Sequence, residues 1–352
     1  MPTQPKLSIC ISTFNRADFI GETLESIVSQ VTDYCEVIVS DNASQDDTEA
    51  VVTEYVNRCE RLRYVRHDTD CGVDRNYDRT VELACGEYCW LLSDDDPLKP
   101  GAVAALLNAL VQDFSLVLVN SEARDISLSR IIQPRCHEID ADRVYEPEEM
   151  DCLFADIAPY LNYISGYVIK RTIWLERERE RYYGSWFIFV GVVFQKRLPG
   201  KTLVMAEPLL CCRFGNLSTA SSDAFRIFVI NFSSLVWSLD ISDVAKVKCI
   251  PREPWRNLPL LLYLRAIAVY SISDYRRCVQ PKLRSTRERL VPFLIAVTPG
   301  AFVNTICMVY FSWARQRLML SYLRESRFHM RNWLISKKPV SRSKHQVDSA
   351  GG

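Results

Sequence analysis

Short apolar runs alternate with segments of helical periodicity over the first 120 residues. From Ala17 to Val31 the apolar positions recur with the period of a helix and fall on one face. Further helices are predicted to begin near 46–48, to cover 73–85 and to follow 99–101. The runs predicted as strands are 7–12, 35–39, 61–66, 87–92 and 115–120. Because these runs are short and do not alternate, both faces should be covered, which predicts an α/β fold with a mostly parallel sheet flanked by helices.

The pattern changes twice beyond residue 120. Residues 121–225 are less regular and include an aromatic run at 182–187. Long apolar helical segments appear after residue 225, and residues 290–314 carry no charge at all. We therefore predict two units, an α/β domain over 1–225 and a helical region over 226–352.

Polar side chains cluster where three of the predicted strands end. In parallel sheets, ligands bind outside the carboxyl ends of the strands. The residues at these ends are Thr13, Asn15 and Arg16, then Asp41 and Asn42, then Asp94, Asp95 and Asp96. Because the ends of parallel strands meet at one edge, we expect these side chains to form one ligand site.

Three consecutive carboxylates, Asp94, Asp95 and Asp96, follow the apolar run 90–92. Carboxylates packed this closely raise one another's pKa unless a cation is present. Mg²⁺ or Mn²⁺ needs one or two carboxylates and leaves positions open for phosphate oxygens. The residues alone favour a metal–diphosphate site no more than a solvated acidic turn that caps the helix beginning near Pro100.

The first two strand ends offer further nucleotide contacts. Asp41 could accept hydrogen bonds from a ribose or a base amide, and it lies early for a cap of the helix that follows. The segment from Thr13 to Arg16 could wrap a nucleobase, with Arg16 near a phosphate. Ordinary turn chemistry is the alternative for that segment, and a helix-capping cluster is the alternative for Asp41.

The stretch Asp70-Cys71-Gly72-Val73-Asp74-Arg75-Asn76 precedes another predicted helix. Gly72 permits close approach of the backbone, and the start of the helix offers free N–H groups to an anion. Arg75 and Asn76 are candidates for contact with a nucleotide. A surface loop explains the same residues almost as well.

Taken in order, four segments resemble the family 2 glycosyltransferases, which have the GT-A nucleotide-diphospho-sugar transferase fold. They cover residues 7–103 and read LSICISTFNRADFIGETLESIVSQ, CEVIVSDNASQDDTEAVV, RLRYVRHDTDCGVDRN and ACGEYCWLLSDDDPLKPGAV. The resemblance implies transfer of a sugar from a nucleotide donor, with inversion and with help from a divalent metal. The form SDDDPL is similar to abequosyltransferase-like enzymes of bacterial O-antigen assembly.

The same resemblance implies roles for single residues. Asp94, Asp95 and Asp96 match the Asp-x-Asp metal motif. The spacing of that motif points to Asp94 and Asp96 as the metal ligands, whereas alignment with the last pair of aspartates in the family motif points to Asp95. On this basis Asp95 and Asp96 are expected at the catalytic centre. The residues that match nucleotide contacts are Thr13, Asn15, Asp41, Asp70, Cys71 and Gly72.

The sequence departs from the family where a catalytic base is expected. Inverting members carry an acidic residue there to deprotonate the acceptor hydroxyl, but this chain has no acid between Arg181 and Ala206. A solvated helix face explains Glu178 and Glu180 better than catalysis does. The base is left unassigned, and the weak candidates are Glu178, Glu180, Glu207 and Asp156. The aromatic side chains at Tyr182, Tyr183 and Trp186 could stack on an acceptor sugar or pack in the core.

Charge is distributed unevenly although the formal net charge is zero. From Arg276 onward there are 15 Lys and Arg against three acids, whereas the preceding residues hold 28 basic and 40 acidic side chains. Such a tail suits an anionic surface. Nucleic acid is not expected as a partner, because the basic residues are interleaved with large apolar ones and no nucleic-acid motif occurs.

The uncharged segment 290–314 is long enough to cross a bilayer, which takes about 20 residues. Pro299-Gly300 interrupts it, and arginines flank both ends, which favours a segment that dips in from the cytoplasmic face. The alternative is a buried helical hairpin with a basic end. The flanking arginines are Arg284, Arg287 and Arg289 before it, and Arg315, Arg317, Arg324, Arg327 and Arg331 after it.

Cysteine usage and the first residues bear on location. The 13 cysteines lack paired spacing, and with four histidines no zinc pattern forms, so reduced thiols in a cytoplasmic protein are expected. No signal peptide is expected, because the first residues have no apolar core. The predicted location is therefore cytoplasmic, peripheral or monotopic on the inner membrane.

The predicted function is a metal-dependent glycosyltransferase of the hexosyl or deoxyhexosyl class. Its partners would be a nucleotide-sugar donor and a saccharide acceptor, expected to be lipid-linked, in cell-surface polysaccharide or O-antigen synthesis. The alternative is a catalytically inactive nucleotide-sugar-binding scaffold, which the unassigned base would explain. A nucleotidyltransferase fits less well, because STFNRADF lacks the glycine-rich, basic loop it would need.

Overall fold

A computed structural model describes residues 4–214 and 223–324, which form a nine-stranded sheet flanked by helices. The strands are β1 (Leu7–Thr13), β2 (Cys35–Asp41), β3 (Leu62–Arg66), β4 (Tyr88–Ser93), β5 (Leu116–Arg124), β6 (Ile131–Gln133), β7 (Arg143–Tyr145), β8 (Tyr167–Lys170) and β9 (Thr202–Arg213). They lie in the order β3-β2-β1-β4-β8-β5-β9-β7, and β6 pairs with β5.

The helices of the first half cover the sheet, and those after residue 231 form the C-terminal region. They are α1 (Ile20–Val28), α2 (Thr48–Val56), α3 (Val73–Leu83), α4 (Ala102–Ala109), α5 (Met150–Ile157), α6 (Arg171–Leu175), α7 (Ile188–Phe194), α8 (Phe232–Ser238), α9 (Asp243–Cys249), α10 (Leu258–Ala266), α11 (Ile272–Asp274), α12 (Thr286–Val297), α13 (Gly300–Trp313) and α14 (Arg317–Arg324). Segments of π-helix precede α8 (Arg226–Asn231) and follow α11 (Tyr275–Val279).

The first four strands are parallel, as the apolar runs predict. In the register Thr13 pairs with Asp41 and Ser12 pairs with Ser93, so β1, β2 and β4 end at the same edge. This register brings the three polar strand ends together. The expectation of one shared edge is confirmed.

The second half makes the sheet mixed rather than mostly parallel. β8 is antiparallel to both β4 and β5, β7 is antiparallel to β9, and β5 and β9 are again parallel. Trp90 fixes the first junction, because its indole Nε1 donates to the Ser165 carbonyl at 2.8 Å. The predicted α/β class with flanking helices is confirmed, and the antiparallel strands come from the region whose pattern was least regular.

Apolar layers cover both faces of the sheet. Every residue of β1 is buried, with Ile9 and Ile11 facing α1, α2 and α4, and Cys10 facing α3 and α7. A strand enclosed on both faces needs apolar residues at consecutive positions. This burial explains the lack of alternation, and at about 25 cal/mol per Å² it is the main term that stabilises the fold.

The C-terminal region is helical, and its first helix joins the core of the sheet domain. Phe232 and Leu235 of α8 pack in the same cluster as α5 and α7, whereas α10 and α12 share a separate cluster. The division of the chain near residue 225 therefore stays a prediction. Arg327, Arg331 and the rest of the basic tail lie outside the described residues.

The uncharged segment 290–314 is not one helix. α12 ends at Val297 and α13 begins at Gly300, with a bend of 91° between their axes. Among the described residues no single helix is long and apolar enough to cross a bilayer, while this bent pair meets the criteria of length and composition when taken together. The break lies at Thr298, which is extended with a ψ of 135°, because proline disfavours helical backbone in the residue that precedes it.

Candidate active site

A cleft of about 500 Å³ opens at the carboxyl edge of β1, β2 and β4. The polar part of its lining comes mostly from the strand ends and the loops after them. The aromatic part comes mostly from residues beyond 160, together with Phe14 and Tyr77. The lining residues are Ser12, Phe14, Arg16, Asn42, Asp70, Gly72, Val73, Tyr77, Ser93, Asp94, Asn162, Ile164, Trp186, Phe187, Phe189 and Phe228. Five predicted site residues, Arg16, Asn42, Asp70, Gly72 and Asp94, are among them.

The loop after β1 is locked to the loop after β2. Asn15 has a positive φ of 53°, its N–H donates to Ser44 Oγ at 2.9 Å, and its side-chain oxygen accepts from the N–H of Gln45 at 2.7 Å. The N–H of Arg16 donates to Thr48 Oγ1 at 2.8 Å. Asn15 therefore shapes the rim, while the guanidinium of Arg16 reaches into the cleft. Thr13 is buried at the end of β1 and does not line the cleft.

Asp41 is fully buried below the second loop. One carboxylate oxygen accepts from the N–H and the hydroxyl of Ser44 at 2.9 and 2.5 Å, and the other accepts from Tyr64 OH at 2.6 Å. Arg66 Nε lies 3.8 Å away. These contacts hold the loop that carries Asn42, and Asp41 itself does not line the cleft.

Asn42 clamps the loop of residues 70–72. Its Nδ2 donates to Asp70 Oδ1 at 2.5 Å, and its Oδ1 accepts from the Cys71 N–H at 2.8 Å. The N–H of Gly72 donates to the same Asp70 oxygen at 2.8 Å. Gly72 has a φ of 84° immediately before α3, a conformation that glycine adopts without strain. The loop thus exposes backbone at the cleft.

Asn76 lies beneath the cleft, not in its lining. It is 1% exposed and donates to Ser12 Oγ at 2.7 Å and to the Ser40 carbonyl at 2.9 Å, while its oxygen accepts from Ser40 Oγ at 2.7 Å. It therefore ties α3 to β1 and β2. The prediction of direct nucleotide contact finds no support in this placement.

Asp94 is the triplet carboxylate that lines the cleft. It is 5% exposed, and its Oδ1 lies 3.4 Å from Arg16 Nε. Burial raises the pKa of Asp94 to about 7, and the charge of Asp95 adds to that rise, although Arg16 opposes it. The guanidinium of Arg16 therefore offsets only part of the cost of burying the charge of Asp94.

Asp96 points away from the cleft and joins three parts of the fold. Its Oδ2 accepts from Tyr163 OH at 2.9 Å and from Ser165 Oγ at 2.7 Å, and its Oδ1 accepts from the N–H of Arg213 at 3.0 Å. Burial, reinforced by Asp95, raises the pKa of Asp96 to about 7. Asp95 accepts from Ser93 Oγ at 2.5 Å.

Within residues 4–214 and 223–324, no three His, Cys, Asp or Glu side chains converge on a common point as a metal site would require. The donor set still fits a hard cation that takes one protein carboxylate. Asp94 is buried, faces the cleft and has a raised pKa, so a cation beside it would offset the burial of its charge. Phosphate oxygens and water would complete the shell.

The weak candidates for the base lie outside the cleft. Glu180 is exposed, Glu207 is 72% exposed and pairs with Arg135, and Asp156 accepts from Arg143 Nη1 at 2.7 Å. Among the described residues, the carboxylates that line the cleft are Asp70 and Asp94.

The aromatic lining was only partly foreseen. Trp186 belongs to the predicted aromatic run and lines the cleft, whereas Tyr182 is buried in the core. Sequence reasoning missed Tyr77, Phe189 and Phe228, because apolar positions in helical segments carry no signal that separates a cleft wall from a core. Asp74, which contacts the aromatic segment, lies in the 70–76 stretch, but no role was predicted for it.

Comparison with known proteins agrees with the resemblance seen in the sequence. Residues 8–174 match the family model described as Glycosyl transferase family 2. This segment, a little under half of the chain, holds the strand ends and the triplet just described. The mixed α/β sheet with flanking helices agrees with the GT-A fold that the resemblance implies.

Two curated relatives narrow the comparison. The abequosyltransferase RfbV of Salmonella typhimurium is 27% identical over 289 residues, which cover 77% of this chain and 86% of that protein. The GalNAc(5)-diNAcBac-PP-undecaprenol beta-1,3-glucosyltransferase of Campylobacter jejuni is 33% identical over 117 residues, which cover 33% of this chain and 38% of that protein.

Solved structures agree on the fold. Staphylococcus aureus TarS 1–349 superposes with a TM-score of 0.54 at 15% identity, covering 91% of this chain and 90% of that one. The mannosyltransferase PcManGT of Pyrobaculum calidifontis, solved with GDP-Man and Mn²⁺, gives 0.51 at 15% identity over 92% and 86%. At such identities the likeness extends to the fold alone.

Proposed function

We propose that this protein is a family 2 glycosyltransferase, which transfers a hexose or deoxyhexose from a nucleotide-diphosphate donor to a saccharide acceptor in O-antigen or related surface polysaccharide synthesis. The observation that carries the proposal is the two-part cleft. Arg16, Asp94 and the backbone at Gly72 offer charge and hydrogen bonds on one part, and an aromatic wall lines the other. The relationship to the Salmonella abequosyltransferase over 77% of the chain supports the polysaccharide assignment.

A divalent cation, Mg²⁺ or Mn²⁺, is part of the proposal. When bound, it would neutralise the diphosphate that leaves with the nucleoside. We assign Asp94 as its principal ligand because Asp94 alone of the triplet lines the cleft. Asp95 stays a candidate ligand. The three hydrogen bonds that Asp96 accepts favour a supporting role for it, in place of direct coordination.

The donor is proposed to lie with its phosphates near Arg16 and the N-terminus of α3, which follows the 70–72 loop. A guanidinium and the N–H groups at the start of a helix are groups that recognise phosphate. The sugar would then lie against Trp186, Phe187 and Phe189. An aromatic wall can pack against the apolar face of a sugar. A deoxy sugar fits such a wall better than a fully hydroxylated one, because each buried hydroxyl group without a hydrogen-bond partner costs free energy.

Nucleotide binding and transfer test this proposal together. The wild type should release nucleoside diphosphate from one nucleotide-sugar when Mn²⁺ and a saccharide acceptor are present, and Asp94→Asn should abolish that release. Asp113→Asn, a change at an exposed carboxylate paired with Lys170, serves as the matched control and should leave the rate unchanged. Equal rates in the wild type and Asp94→Asn would overturn the assignment of Asp94.

The inactive scaffold is the second candidate, because none of the predicted base residues lines the cleft. It predicts nucleotide binding without turnover for any acceptor. Calorimetry with a nucleoside diphosphate, followed by the release assay on the same sample, separates the two. Binding with no release across a panel of saccharide and lipid-linked acceptors would favour the scaffold.

Membrane contact through α12 and α13 is also proposed, on the cytoplasmic face where a lipid-linked acceptor would be reached. Large apolar side chains project from this pair, with Phe302, Val309 and Trp313 being 61%, 68% and 83% exposed. Exposed apolar surface beside basic residues suits an anionic bilayer.

Vesicle binding tests that contact. The full chain should sediment with vesicles that contain anionic phospholipid, and replacing Phe302, Val309 and Trp313 together by serine should abolish sedimentation. Val111→Ser, at a side chain that is 79% exposed on the sheet domain, is the control and should sediment like the wild type. Sedimentation of the triple variant equal to the wild type would overturn the proposed surface.

A further inference from the structure

A buried carboxylate follows the loop of residues 70–72 (the donor loop) and contacts the turn that carries Trp186 of the aromatic wall. Asp74, in the first turn of α3, is 3% exposed. Its Oδ2 accepts from the N–H of Trp186 at 2.8 Å and its Oδ1 from the N–H of Ile188 at 3.1 Å. Asp74 follows Gly72 by two residues. One short segment therefore borders the cleft and also holds the turn at residues 184–188, which is distant in sequence.

The turn at residues 184–186 has a backbone that needs such support. Trp186 has a φ of 75°, and Gly184 has a φ of 84°. Glycine adopts this region freely, but a bulky residue does so only where the surroundings hold it. Trp186 lines the cleft, so the strained residue is also the one that faces a ligand.

A second buried carboxylate on the same helix supports the neighbouring chain in a different way. Asp78, one turn after Asp74, accepts from Trp174 Nε1 at 2.8 Å, from Tyr183 OH at 2.6 Å and from Arg179 Nε at 3.0 Å. These partners are side chains, whereas those of Asp74 are the backbone of the turn. Asp78 thus offers a matched control with similar burial.

We propose that Asp74 is a positioning residue that sets the orientation of Trp186 through the backbone of residues 184–188, and so couples the donor loop to the aromatic wall of the cleft. The inference rests on the proposed function. A loop that shifts on binding the nucleotide would move α3 and its carboxylate, and the turn would follow. The sugar is then placed against the wall only when the donor loop is in its bound position.

A double-mutant cycle tests this coupling. The variants are Asp74→Asn, Trp186→Ala, their combination, and Asp78→Asn with and without Trp186→Ala. We expect Asp74→Asn to lower kcat/KM for transfer about tenfold, as the loss of one well-placed interaction does, while Kd for the nucleoside diphosphate stays within about threefold. In the Trp186→Ala background the same substitution should change kcat/KM by less than about threefold.

Asp78→Asn should lower the thermal midpoint but leave kcat/KM near the wild-type value. If Asp74→Asn lowers kcat/KM equally in both backgrounds, or if Asp78→Asn lowers it as much, Asp74 is merely structural and the inference is wrong. Should Asp74→Asn not fold, Asp74→Glu is the second variant, because it retains the charge but displaces the turn. It should likewise lower kcat/KM in the wild-type background and change it by less than about threefold in the Trp186→Ala background. A wild type that neither binds nucleoside diphosphate nor transfers sugar would defeat the proposed function, not this inference alone.

Discussion

Replacing Asp96 by alanine should separate structural support from ligand binding within the triplet. Asp96 is 3% exposed and accepts three hydrogen bonds, from Tyr163, Ser165 and the backbone of Arg213. Alanine leaves those donors without this acceptor. Ser165 Oγ keeps one other contact, as the acceptor for the N–H of Ser93 at 2.9 Å.

The magnitude follows from opposing contributions. Each hydrogen bond to a carboxylate is worth about 1.5–3 kcal/mol, so three give a gross loss of about 5–9 kcal/mol. Removing the carboxylate also removes the cost of burying it, which is substantial because burial raises its pKa to about 7. The same three hydrogen bonds already lower that pKa, so this relief offsets only part of the gross loss. We expect a net loss of about 3 kcal/mol in the free energy of unfolding.

The assay is thermal and chemical unfolding of the wild type, Asp96→Ala and Asp94→Ala, each with and without Mn²⁺ and a nucleoside diphosphate. A loss of about 3 kcal/mol lowers Tm by roughly 5–10 °C in a chain of this size. Asp94→Ala should keep a Tm near the wild-type value but lose the shift caused by ligand. If Asp96→Ala unfolds at the wild-type temperature and loses only the ligand shift, the structural assignment of Asp96 is wrong.

Two further predictions concern pH and packing. The pKa values of Asp94 and Asp96 are raised in the folded state, so folding takes up protons and stability is lost as pH rises towards and through 7. Ligand-free protein should therefore melt at a lower temperature at pH 8 than at pH 6, and Mn²⁺ with nucleoside diphosphate should raise Tm more at pH 8; a flat Tm with equal shifts would contradict this. Gly191→Ala should cost about 1–3 kcal/mol in chemical unfolding, because a Cβ there would lie 2.4 Å from ring atoms of Tyr182. Gly21→Ala, whose nearest contact would be 3.4 Å, is the control, and an equal effect of both would refute the packing argument.

The parallel half of the fold follows from local pattern. Apolar runs without alternation identified β1 to β4, and the polar residues after them predicted the edge at which the cleft lies. The end of each of these strands is marked in the sequence by the change from apolar to polar residues. The antiparallel insertion of β8 could not be predicted, because Tyr167–Lys170 pairs with strands distant in sequence.

Roles within the cleft were harder to predict than its position. Asn15, Asp41 and Asn76 are polar and follow strands or begin a helix, as contact residues do, yet their side chains bond to the protein itself. Only the register of β1 and β2 reveals that these partners lie within reach. Trp186 could be placed in the cleft, not the core, only once the position of the aromatic segment against the strand ends was known.

The most direct test of the central claim is release of nucleoside diphosphate from a panel of UDP-, GDP-, CDP- and TDP-sugars by the wild-type chain, with a saccharide acceptor and either Mn²⁺ or EDTA. The structure and the family predict release with one donor in Mn²⁺, little in EDTA, and none from Asp94→Asn. Release that EDTA and Asp94→Asn leave unchanged would contradict the metal-assisted account, and no release or binding with any donor would contradict the glycosyltransferase assignment for this chain.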